Sequence, residues 1–81
     1  MFDKQQLIKI ANFRMPFGKY SGTRLIHIPE EYYLWMRAKG WPAGELGELM
    51  SLCLEIKVEG LEKLIEPLVQ YEPSERDDYP G

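Results

Sequence analysis

Eighty-one residues, 44% hydrophobic and 28% charged with a net charge of −3, describe one ordinary globular domain and exclude a fibrous or wholly basic chain. The single cysteine, Cys53, rules out an intramolecular disulfide or a cysteine-rich zinc site, and makes a small secreted scaffold a poor reading. No run approaches the roughly 18 apolar residues of a membrane span, and "MFDKQQLIKI" has charge and glutamine where a signal peptide needs an apolar stretch, so the expected address is the cytoplasm.

In chain order, the first element is a short helix. Asp3 is its N-cap, Gln6 stands three residues on as in a capping box, and Phe2 can staple onto Leu7. Leu7, Ile10 and Ala11 recur at helical spacing, and Asn12 marks the end. Two short extended runs come next, about residues 14–17 and 23–26, around a Gly-Lys-Tyr-Ser-Gly centre. Glycines at both ends of that centre permit positive φ, and Pro16 suits an edge strand, so the pattern predicts a two-stranded β-hairpin. Such a pair is marginal alone and must lie against helices.

"PEEYYLWMRAKG" reads as a second helix. Pro29 fits the first turn, Glu30 and Glu31 sit at the positive end of the dipole, Arg37 and Lys39 at the negative end, and Gly40 stops it. The spacing puts Tyr32, Trp35 and Met36 toward the core and Tyr33 and Arg37 elsewhere. Pro42 opens a longer helix to about Glu59, with Leu46, Leu49, Met50, Cys53 and Ile56 inward. Gly44 and Gly47 are poor helix residues, and close packing against the hairpin would account for them. A last helix after Gly60, interrupted at Pro67, turns Leu61, Leu64, Ile65 and Leu68 inward. The tail from Glu72 to Gly81 is charged, Pro-bearing and nearly without aliphatics, and is expected to be a disordered acidic tail behind a single domain of residues 1–71. The fold class is thus α+β, mainly α, with about four short helices packed on one hairpin.

Chemistry is sparse. Nucleophilic catalysis needs a nucleophile beside a base, and Cys53 and His27 are the one thiol and the one imidazole. Cys53 falls at a core position, where a thiol acts as a small hydrophobe, so no catalytic residue is assigned and no enzyme is expected. Three aspartates and one histidine give no metal-ligand spacing, and no cofactor motif is present. Glu48, Glu55 and Glu59 share a helix face; with nothing cationic or aromatic converging there, a solvated acidic face is the better reading. "GKY" lacks the Ser or Thr of a phosphate-binding Walker loop.

What the loop does carry is a mixture of cations and rings. Residues 1–41 hold seven Lys/Arg against three acids, and residues 42–81 three against ten, so the chain is strongly dipolar. On the basic half, either Arg14, Lys19 and Arg24 follow phosphates while Tyr20 and Phe17 stack on bases, the general single-strand surface for DNA or RNA, or Phe17 and Tyr20 pack on the helices and Lys19 only keeps the loop soluble. The rival is a protein-interaction adaptor, binding a partner or a second copy through Trp41, Tyr33 and the acidic helix face.

"MPFGKYSG" (Met15–Gly22), then Pro29, Tyr32 and Trp35, then "KGWPAGELG" (Lys39–Gly47), resembles the small bacterial family named for quorum-sensing-regulated virulence factors, a domain of unknown function. Similar "PFGKYKG…PxxYLxW" modules occur at the C-terminal end of exonucleases related to exodeoxyribonuclease X. The likeness runs from about Ile10 to Leu68, with Ser21 where Lys or Arg is common, Tyr33 where Leu is usual and Trp41 where Phe is usual. It implies no chemistry, because the exonuclease carboxylates belong to a separate domain that this chain lacks. Company with nucleases implies a module that handles nucleic acid, and the missing cation at Ser21 counts against phosphate binding there.

Overall fold

Asp3 starts the first helix in the expected way, its carboxylate accepting from the backbone N–H of Gln5 at 3.0 Å. In this computed structural model residues 3–71 are described, so the Phe2 staple and the acidic tail fall outside the described residues. Helix α1 runs Lys4–Asn12 and buries Ile10 and Ala11. Helix α2 spans Glu30–Lys39, α3 Glu45–Val58 and α4 Glu62–Ile65, with 3₁₀ turns at Leu25–His27 and Glu66–Leu68. One core of apolar side chains from α1, α2, α3 and α4, with Met15, Leu25, Ile26 and Ile28 from the connecting segment, joins all of them.

The hairpin does not form. Among the described residues there is no β-strand, and the two limbs share one isolated antiparallel bridge, between Arg14 and Arg24. The limbs do run side by side, with Met15 N–H donating to Thr23 O at 2.9 Å and Leu25 N–H to Phe13 O at 3.0 Å. Two causes stop a ladder. Pro16 has no N–H to extend it, and directly after Arg24 the chain turns into the 3₁₀ segment at Leu25–His27. The space at the tip is taken by tight turns instead: Ser21 donates to Gly18 O and Thr23 to Tyr20 O, with Gly18 and Gly22 at φ +78° and +87°.

The 3₁₀ turn at Leu25–His27 is held by side chains from the helices around it. Within the turn Ile28 N–H donates to Leu25 O at 3.2 Å, and three buried side-chain donors add to that oxygen and to Ile26 O. Tyr33 Oη donates to Leu25 O at 2.7 Å, the Cys53 thiol to the same oxygen at 3.4 Å, and Lys57 Nζ to Ile26 O at 2.7 Å. Lys57 also reaches Glu62 at 3.2 Å, so its charge is paired at the edge of the core.

The third helix begins later than Pro42. Gly44 caps it at φ +80°, and residues 43 and 44 precede it as a bend. Gly47 is buried for a different reason from the one its helix position suggests. A Cβ there would lie 1.9 Å from Pro42 O and 3.3 Å from the Trp41 Cβ, so the glycine lets the Trp41–Pro42 backbone lie on α3. The hairpin has no part in it. In the last segment Ile65 is buried and Leu61 and Leu68 half-buried, but Leu64, expected inward, is exposed.

Candidate functional site

Helix α2 carries four aromatic or aliphatic side chains in a row, Tyr32, Tyr33, Leu34 and Trp35, so each turn offers more than one face to the core. The fold chooses Tyr33 and Met36, which lie one turn apart. Tyr33 is 0% exposed, and burial pushes its phenol well above the ordinary range. Its expected place on a docking surface is therefore corrected: the phenol is engaged with Leu25 O in the core. Trp35, expected inward, is 53% exposed instead.

That rotation brings α2 and the loop together. The Tyr20 ring packs edge-on against Tyr32, centroids 5.0 Å apart at 75°, and Tyr32 lies 6.0 Å from Trp35 at a 32° tilt. A Cβ at Gly18 would stand 3.4 Å from the Tyr32 hydroxyl, so the loop backbone rests on α2 in ordinary contact. Phe17, Gly18 and Lys19 from the loop and Tyr32, Trp35 and Met36 from α2 line a groove of about 430 Å³. Phe17 is 44% exposed at its edge. Lys39, one turn beyond Trp35, holds its Nζ 5.1 Å above that ring, and Lys19 holds its Nζ 5.6 Å above Tyr20. The arrangement offers half-exposed ring surface, with a lysine on the loop side and another on the helix side.

Of the five loop residues singled out for nucleic acid, Phe17 and Lys19 line this groove, and Tyr20 lines an adjoining cleft with Lys19, Glu31 and Tyr32. The two arginines sit at the base of the loop and do not line it. Arg14 Nη1 donates to Gly22 O at 2.7 Å, closing the loop on itself. Arg24, at 6% exposure, donates to Gln70 O at 2.9 Å and lies 5.1 Å from the Tyr71 ring, so its side chain clamps the C-terminal segment rather than reaching outward. The sequence pattern alone did not single out Trp35 and Lys39. Their i, i+4 spacing, which lets the lysine reach the ring, was the usable signal.

The remaining reactive groups are kept apart. Burial pushes the Cys53 thiol up to about 11, far from thiolate at neutral pH. His27 faces outward, its Nε2 3.4 Å from Glu66 Oε2 and 3.4 Å from the Tyr71 hydroxyl, which in turn donates to Glu66. No group of three His, Cys, Asp or Glu could hold a metal ion among the described residues, nor is any helix there long and apolar enough to cross a membrane.

Trp41 is half-buried between α2 and α3. It borders a second, larger groove of about 610 Å³, with Pro42, Leu52 and the carboxylates of Glu48 and Glu55 along it. An aromatic does converge on the acidic face of α3, contrary to expectation.

With the geometry in place, comparison with known proteins gives the chain a family. Residues 3–68 match the family described as "Putative quorum-sensing-regulated virulence factor". The chain belongs to this family. It is similar to "Uncharacterized protein YpeB" of Escherichia coli strain K12, 61% identical over 67 residues, which is 82% of this chain and 93% of that protein. The protein of the same name from Escherichia coli O157:H7 matches equally, at 61% over 67 residues. No solved structure matches. Neither the family description nor these relatives carries the likeness to exodeoxyribonuclease X-like exonucleases that the loop motif evoked.

Proposed function

We propose that this family member is a small non-enzymatic binding module whose Phe17–Trp35 groove holds single-stranded nucleic acid. The observation that supports this reading best is Trp35, half exposed on α2 with Lys39 over its ring, facing a loop that carries Phe17 and Lys19. Aromatic faces stack on unpaired bases of any identity, while lysines beside them follow the backbone. A duplex hides those base faces, and two lysines with a net charge of −3 leave little electrostatic affinity for it. The likeness of the loop to modules found in exonucleases points the same way. The family description adds a setting, virulence under quorum control, and no ligand.

The test is a titration of end-labelled oligo(dT), oligo(U) and a duplex of equal length with the protein and with Trp35→Ala. The expected result is preference for the single strands and a loss on the order of 1–3 kcal/mol in the variant. Equal binding by Trp35→Ala, or preference for duplex, would remove the groove from the account.

A further inference from the structure

We propose that the groove beside Trp41 docks a cationic, proline-containing segment of a partner protein in polyproline II form. The occupant is set by charge, spacing and shape. Glu48 and Glu55 are both exposed on the groove, and neither has a cationic partner among the described residues, whereas Glu45 pairs with Lys9, Glu62 with Lys57 and Glu66 with His27. Two carboxylates on the groove that Trp41 borders are therefore without an ion pair among the described residues. Arg37 borders the adjoining cleft, which shares Trp41, Ser51 and Glu55, and is not paired with Glu55.

Spacing narrows the occupant. Seven residues of α-helix separate Glu48 from Glu55 by about 10.5 Å at 1.5 Å per residue. That is too far for one divalent cation, whose oxygen ligands lie about 2.3–2.6 Å away. A polyproline II strand advances about 3.1 Å per residue and repeats its face every third residue, so side chains at i and i+3 stand about 9.3 Å apart on one side. Arginine or lysine at those two positions meets the two carboxylates. On the same groove the strand meets Trp41, Pro42 and Leu52, and aromatic-lined grooves are what such strands dock into.

The groove is also pre-formed. Gly47 holds the Trp41–Pro42 backbone directly against α3, in contact too close for any side chain. A floor fixed in this way loses little freedom when a segment binds. The carboxylates repel a phosphate backbone, so this face is chemically separate from the Phe17–Trp35 groove, and the inference stands without the nucleic-acid reading.

The experiment uses the full chain, isotopically labelled, and a capped peptide Ala-Arg-Pro-Ala-Arg-Pro-Ala followed by NMR at low salt. Saturable shifts of the Trp41 indole and of the Gly47 and Ser51 amides are expected, with the Trp35 indole unmoved. The Glu48→Gln/Glu55→Gln double variant should weaken binding about fivefold, as two exposed ion pairs would, and a peptide with glutamate for arginine should not bind. Because both glutamates are exposed, the variant should keep the parent spectrum elsewhere. No shift at Trp41 at millimolar peptide, or undiminished binding by the double variant, overturns the proposal. Shifts at Trp41 on raising protein concentration alone would also overturn it, by assigning the groove to a second copy.

Discussion

The two tryptophans of this protein sit in grooves of opposite charge, and the contrast separates what each face can recognise. Trp35 lies on α2 with a lysine above its ring and faces a loop bearing Lys19. Trp41 lies where the chain enters α3, half-buried, with Glu48 and Glu55 on the groove it borders. The first offers ring surface to a partner that brings negative charge, and the second to a partner that brings positive charge. Two cations of the basic half, Lys19 and Lys39, and two acids of the acidic half, Glu48 and Glu55, thus flank separate grooves.

The strongest way to break the comparison is to fill Gly47. Gly47→Ala puts a methyl into Pro42 O, and the overpacking outweighs the helix-propensity gain of roughly 1 kcal/mol, so a net loss of about 2 kcal/mol or more is expected. Urea unfolding reads that directly, and the Trp41 groove should deform while any folded fraction keeps its oligonucleotide affinity.

Exchanging roles between the rings sharpens it next. Trp35→Ala should cost about 1–3 kcal/mol of single-strand affinity while moving stability by about 0.5 kcal/mol or less. Trp41→Ala should do the reverse, lowering the urea midpoint and leaving oligonucleotide binding unchanged. If both variants lose strand binding equally, the two faces are not independent.

Tyr33→Phe tests the core between them. It removes the donor at 2.7 Å from Leu25 O and should cost about 1 kcal/mol in urea unfolding, with neither groove affected. The smallest effect expected is at the C-terminal clamp. The hydrogen bond from Tyr71, aided by His27 and Arg24, holds the Glu66 carboxyl below its ordinary range. A depressed folded pKa means that its stabilisation is present above the ordinary glutamate value and is lost as pH falls through the lower folded one. The stability difference between the native protein and Glu66→Gln should therefore be visible at neutral pH and shrink toward zero below about pH 4. A difference that persists in acid would assign it to something other than the charge.

Helix ends were the most legible part of the sequence, because caps are local chemistry: Asp3, Gly40 and Gly60 act where expected. The loop was half legible. Its turns and glycines were readable, but whether two four-residue limbs reach a ladder depends on the neighbouring segment, and here the second limb passes straight into the 3₁₀ turn at Leu25–His27. The facing of α2 was not legible, since four consecutive large residues satisfy several faces equally; in the fold Tyr33 adds a donor to the Leu25 carbonyl, which also accepts from Ile28 N–H. Arg24 misled for a similar reason. A cation in a basic stretch reads as solvent-facing until a distant carbonyl, here Gln70 O, claims it.

The measurement that tests the central claim most directly is a salt series on labelled oligo(dT) binding, run with the native protein, Lys19→Ala and Lys39→Ala. Two lysines following phosphates predict a slope of log affinity against log salt near −1.4, falling to about −0.7 in either variant. A slope indistinguishable from zero, or no binding at the lowest salt, would contradict the Phe17–Trp35 groove as a nucleic-acid site.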